Sequence, residues 1–201
     1  MLRLSLNENP EEIVIEKALK VLKNGGIVVY PTESFYALGV MAINENAVTR
    51  LFELKKRPPQ KPMPVIIGSR DVLPSIAKTI PREAEELMKE FWPGALTIVF
   101  NAVNTVPDIL TGGTGKIAVR IPGNSFALNL AKTAGFPITA TSANLSGRPP
   151  AQAAEEIIDY FGREIDLIID AGRTLGGKPS TIVDVTVTPV RVLRKGSVVL
   201  K

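Results

Sequence analysis

Residues 9–31 read NPEEIVIEKALKVLKNGGIVVYP, and this run sets the fold class. Ile13, Ala18, Leu19 and Leu22 recur at helical spacing. Asn9 is placed to cap that helix, Pro10 to open it, and Glu12 to reach back to the cap. Gly25 and Gly26 end it. Residues 27–30 then form an unbroken apolar stretch of the kind that makes a buried strand, and Pro31 stops it.

The same alternation continues outward. Further helices are expected over 46–54, after a Ser69 cap, over 81–91, over 125–133 with Ser125 as cap, and over 151–161. Strands are expected at 65–67, 96–100, 117–121, 138–141, 167–169, 181–187 and 190–193. Helices and strands alternate for most of the chain and its end is strand-rich. That predicts an α/β (α+β) fold, with a twisted mixed sheet and flanking helices in a single domain over 1–201.

Composition narrows the chemistry. Of 201 residues, 45% are hydrophobic and 22% charged, which excludes a disordered chain. There is no Cys and no His, so thiol nucleophiles, imidazole bases, disulfides and Cys/His zinc sites are all excluded. A net charge of +4 suits an anionic ligand, and no basic run points to nucleic acid. No apolar stretch approaches the ~20 residues a membrane span needs. The first ten residues lack the apolar core of a signal peptide, so a cytoplasmic protein is expected.

Two glycine-rich stretches imitate nucleotide motifs. Residues 172–180 (GRTLGGKPS) approach a phosphate-binding loop, but Pro179 takes the hydroxyl position and strand-forming residues follow where a helix is required. Residues 113–118 (GTGKIA) precede a strand instead of opening a helix, so they read as a turn.

Polar clusters border the expected strands at 31–39, 55–62, 139–147 and 178–181. Ligands of open α/β sheets gather at such strand ends. Taken singly, Lys55 and Arg57 read as solvated loop charges, and Ser142 and Asn144 as turn formers. Arg120 differs. It follows Ala118 and Val119 in an apolar strand, where a charge needs a partner or an anionic ligand.

Together these segments resemble the threonylcarbamoyl-AMP synthase family, also called the YrdC-like domain. The likeness runs in order through 31–39, 55–62, 91–97, 117–122, 142–147, 180–184 and 193–196. The family's K-x-R and S-x-N tetrad falls on Lys55, Arg57, Ser142 and Asn144, which the resemblance makes the catalytic group. It implies a sheet around a concave basic cavity that joins L-threonine, bicarbonate (or CO2) and ATP into threonylcarbamoyl-AMP and pyrophosphate. That product supplies the group that other proteins transfer to adenosine 37 of tRNA. Threonine contacts would fall on Thr32, Arg120 and Ser180. Nucleotide contacts would fall on Lys55, Arg57, Pro59, Lys116, Ala140, Ser142, Asn144, Pro150 and Arg194. Mg²⁺ is expected to arrive with ATP, with no protein metal site. Three positions depart from the family pattern: Ala37 replaces a frequent Gly, Ile66 stands where longer members carry a His, and the longer branch's C-terminal domain is not expected.

Adenylate formation asks mainly for positioning and charge neutralisation, which suits a chain without imidazole or thiol. Cationic surroundings lower an amine's pKa, making a dedicated base optional. Replacing Lys55 or Arg57 with Ala is expected to cost on the order of 10²–10³ in turnover, with little cost to folding from loop positions. Two competing readings are a tRNA or double-stranded RNA-binding module, which 5% aromatic content and weak charge argue against, and the carbamoyl-adenylate domain of hydrogenase-maturation proteins, which the lack of Cys argues against.

Overall fold

The computed structural model describes residues 1–200. Its elements in chain order are β1 (Leu2–Ser5), α1 (Glu11–Lys23), β2 (Val28–Pro31), β3 (Tyr36–Gly39), α2 (Glu45–Leu54), β4 (Val65–Ile66), a 3₁₀ helix (Arg70–Ser75) and α3 (Arg82–Phe91). There follow β5 (Leu96–Asn101), α4 (Asp108–Thr111), β6 (Lys116–Arg120), α5 (Phe126–Ala134), β7 (Ile138–Thr139) and β8 (Thr141–Ser142). The chain closes with α6 (Ala154–Phe161), β9 (Leu167–Asp170), β10 (Thr181–Asp184) and β11 (Arg191–Arg194). No helix among the described residues is long and apolar enough to cross a membrane.

The expected single sheet is two. One runs β1-β9-β2-β3-β8 and the other β11-β10-β5-β6-β4-β7, and each mixes parallel and antiparallel pairs. They meet where the expected strand 138–141 divides. Ile138 and Thr139 pair with β4, whereas Thr141 and Ser142 pair with β3. Between them Ala140 N donates to Pro64 O at 2.9 Å, so one short run belongs to both sheets.

The apolar stretch that decides the fold class is explained by its place. β2 sits inside the first sheet and all its residues are buried. Alternation sends Ile27 and Val29 into a core shared with Ile98, Phe100, Ile117 and Val119 of the second sheet. Val28 and Tyr30 turn to the opposite face, against Val14, Ala18 and Leu22 of α1 and Phe126 and Leu130 of α5. Each such side chain removed from water contributes roughly 1.5–3 kcal/mol.

Several local expectations are corrected. Pro10, not Asn9, occupies the cap position of α1, and no side chain caps it. Asn9 is engaged elsewhere, donating through Nδ2 to Ser5 O at 2.9 Å in the turn after β1. Ser69 caps a 3₁₀ helix that contains Pro74. Ser125 precedes α5 but directs its hydroxyl to Gly123 O, without capping the helix. The strand expected over 181–187 ends at Asp184, whose carboxylate accepts from Thr186 N and Oγ1 and turns the chain. The helix expected over 151–161 begins only at Ala154.

Gly39 marks how closely the sheets approach. A Cβ there would lie 2.6 Å from the Tyr30 ring, 2.8 Å from Ile138 Cγ2 and 3.1 Å from Thr139 O. Gly39→Ala is therefore expected to lower the unfolding free energy by about 1–3 kcal/mol through overpacking. Urea titration checks this; an unchanged midpoint would mean that the seam is looser than described.

Candidate active site

At this seam lies a cavity of about 510 Å³, a size that suits a small ligand. Tyr30 at the end of β2, the turn 32–35, Ala37, Ile66 and Arg120 line one part of it. Arg57, Thr97, residues 140–142, Pro150, Gly177, Pro179, Ser180 and Arg194 are also among its lining residues. The charged side chains in this lining are three arginines and Glu33.

Arg120 comes from the end of β6, beside Ile66 of β4 in register. Its Nε donates to Gly94 O at 2.7 Å. Its Nη2 forms an ion pair with Glu33 yet is buried without a hydrogen bond. Burial pulls the guanidinium down to about 10, and the charge of Arg194 acts in the same direction. Arg194 donates through Nε and Nη2 to Ser180 O at 3.1 and 2.8 Å, and through Nη2 to Ser180 Oγ at 3.1 Å. Ser180 Oγ in turn lies 2.8 Å from Thr97 Oγ1. Arg57 is held from below by Lys61 O at 3.1 Å and Pro62 O at 2.7 Å. Burial lowers the pKa of both Arg57 and Arg194. Tyr30 is fully buried and donates from its hydroxyl to Thr139 O at 2.8 Å, and burial pushes its phenol far above the usual range.

Lys55 is not a surface charge. It ends α2 and is only 1% exposed. Lys56 then takes a left-handed conformation at φ 49°, with its N donating to Glu53 O and Arg57 N to Phe52 O, both at 2.9 Å. This double bond is the Schellman closure, made here without the usual glycine. The inward Lys55 Nζ donates to Ser142 O at 2.5 Å, Asn144 O at 2.7 Å and Asn144 Oδ1 at 3.4 Å. Asn144 completes the knot. It accepts from Ser142 Oγ at 2.5 Å and donates to Leu145 O and Arg148 O at 3.0 and 2.5 Å. Burial, with the charge of Arg57, pushes Lys55 down to about 7. The expectation of a small folding cost at Lys55 is thereby corrected: this side chain is a strut under residues 142–148.

The residues named from sequence divide in two. Thr32, Arg57, Arg120, Ala140, Ser142, Pro150, Ser180 and Arg194 all line the cavity. Lys55 and Asn144 stand behind its wall, Pro59 lies on the exposed loop, and Lys116 lies outside the lining. Lys116 opens β6, four residues from Arg120 and thus about 13 Å along the strand. Its Nζ is paired with Asp184 at 2.9 Å. Neither imitation motif opens a helix, as the sequence implies. The loop at 172–180 runs into β10, and Gly113 and Gly115, each with positive φ, precede β6. Tyr30, Thr97 and the pairing of Glu33 were not foreseen. The hint at Tyr30 is a hydroxyl near the end of a buried strand, just before Pro31.

No group of three or more acidic side chains among the described residues is placed to hold a metal ion. The cavity's one carboxylate is already paired with Arg120. The donor set therefore does not fit a resident magnesium; the ion would enter on the phosphate oxygens and water that it prefers.

A family model described as "Telomere recombination", for Sua5, YciO and YrdC proteins, matches residues 20–196. The chain is similar to a threonylcarbamoyl-AMP synthase of Pyrococcus abyssi, 42% identical over 98% of this chain and 58% of that protein. It is also similar to one of an Enterobacter species, 37% identical over 89% of this chain and 95% of the relative. The crystal structure of P. abyssi Sua5 complexed with L-threonine superposes with a TM-score of 0.89 at 42% identity, over 97% of this chain and 57% of the other. The chain thus spans little more than half the length of its Pyrococcus relative. With the two mixed sheets, the seam cavity and a match over residues 20–196, the chain belongs to the Sua5/YciO/YrdC family.

Proposed function

We propose that this chain is an L-threonylcarbamoyl-AMP synthase. The threonine nitrogen takes up the carbon of bicarbonate with loss of water to give a carbamate. A carbamate oxygen then attacks the α-phosphorus of ATP, and pyrophosphate leaves. The observation that carries the reading is the gathering of Arg57, Arg120 and Arg194 around one cavity, at positions far apart in sequence. Arg120, whose Nη2 already holds the Glu33 carboxylate, suits the planar carboxylate of an amino acid. Thr32 and Ser180 offer hydroxyls on the same wall. Arg57 and Arg194 suit the phosphates, and Ser142 the carbamate or α-phosphate. Lys55 and Asn144 act by holding Ser142 in place.

The relatives' names support the same reaction, and the L-threonine complex of P. abyssi Sua5 supports the amino acid. Magnesium carried on ATP, held by its phosphate oxygens and not by side chains of this chain, would supply further charge neutralisation beside Arg57 and Arg194. The product would be consumed by separate proteins acting on adenosine 37 of tRNA, and a cytoplasmic location would suit that step. Pyrophosphate release from ATP, with threonine and bicarbonate omitted singly, tests the reading. Dependence on both is expected, and release indifferent to threonine would overturn it.

A further inference from the structure

One carboxylate stands among the guanidinium groups of the cavity, and its position is built into the chain. Thr32 N donates to Phe35 O at 3.1 Å, and Thr32 Oγ1 to the same carbonyl at 2.7 Å, closing a turn with Glu33 at its tip. The next residue, Ser34, accepts from Gly176 N at 2.8 Å, which anchors the turn to the loop across the cavity. The Glu33 carboxylate lies against Arg120 Nη2. That nitrogen is the one buried side-chain polar atom without a hydrogen bond among the described residues.

The two partners are not equally fixed. Arg120 is tied to Gly94 O, and its side chain is 16% exposed; that of Glu33 is 30% exposed and carries no other bond that holds it. We propose that Glu33 stands in for a substrate carboxylate on Arg120 and, as the amino acid enters, hands over that guanidinium and takes the incoming ammonium. The pair would thus select zwitterionic α-amino acids over plain carboxylates. This rests on the proposed amino-acid substrate.

The charge balance favours the exchange. An α-amino acid carries its carboxylate and ammonium one carbon apart, so a carboxylate seated on Arg120 brings the ammonium beside the displaced Glu33. One ion pair becomes two, and no charge is left unpaired in a partly desolvated site. A carboxylate without the amine evicts Glu33 and gives it nothing in return. Glu33 is then a positioning and selectivity residue of the substrate site.

Calorimetric titration of wild type and Glu33→Gln with L-threonine and with (R)-3-hydroxybutyrate, the same molecule without its amine, tests the exchange. Wild type is expected to favour threonine. In Glu33→Gln, threonine should bind roughly 10–100-fold more weakly, as expected for loss of a charge-assisted contact. The hydroxy acid should bind more tightly than to wild type, because its competitor is gone. A merely damaged site cannot produce that opposite sign. Equal weakening of both ligands, or no change in either, would overturn the exchange. If wild type ignores threonine altogether, the failure lies in the substrate reading. Should Glu33→Gln not fold, Glu33→Asp carries the same comparison: its shortened carboxylate is expected to move both affinities in these directions by smaller factors, and an unchanged ratio would overturn the exchange.

Discussion

Lys55→Met is expected to lower the unfolding free energy by about 1–3 kcal/mol and turnover by a factor of ~100 or more. Methionine keeps most of the volume, so no large void is made. What is lost is the Nζ that donates toward Ser142 O and Asn144 O, with Asn144 Oδ1 at 3.4 Å. Asn144 O is then buried without a partner, which costs roughly 1–3 kcal/mol, while Ser142 O keeps the bond from Asn144 N at 3.0 Å. The turnover loss follows because Ser142, which faces the cavity, is held through this knot. Chemical denaturation read beside initial rates checks both halves. Wild-type stability in the variant would contradict the strut.

The same residue gives a pH signature. Burial holds the folded-state amine at about 7, against 10.5 for an unperturbed lysine. Between those values the unfolded chain binds the extra proton, so stability rises with pH. The Lys55 contribution is therefore least below pH 7 and grows toward pH 10.5, by at most about 1.4 kcal/mol per pH unit. The stability gap between wild type and Lys55→Met should widen across that window. A gap that narrows with rising pH would contradict the assignment.

Arg57→Ala is the second large effect, and it should separate cleanly from the first. Turnover is expected to fall on the order of 10²–10³, the loss typical of one preorganised electrostatic donor. Folding should change by no more than about 1 kcal/mol. The contacts to Lys61 O and Pro62 O lie within its own loop, and water can replace them. Near-wild-type turnover would remove Arg57 from the site. Lys55 and Arg57 are two positions apart, yet Lys55 is read in stability as well as in rate and Arg57 in rate alone.

That contrast shows what the sequence could carry. α1 and β2 were legible because their apolar residues recur at helix spacing and then without a break. Arg120 was legible because a charge in an apolar strand violates the pattern. β3 was missed since it begins straight after the turn at 32–35 and reads as part of that polar cluster. The division of 138–142 between two sheets depends on which strands lie beside it, and no local pattern encodes that. Lys55 sits in a stretch, KKRPPQKP, that looks solvated. Its burial is decided by carbonyls that follow 87 residues later, at Ser142 and beyond. Sequence neighbours likewise gave Lys116 no sign of its ion pair with Asp184.

The account stands on an amino acid and a nucleotide meeting in the seam cavity. Mass spectrometry of the product formed from L-threonine, ATP and ¹³C-bicarbonate addresses this directly. The expected species joins threonine to AMP through one carbon and gains one mass unit from the labelled bicarbonate. Only AMP or ADP, or a threonine adduct without the label, would contradict it.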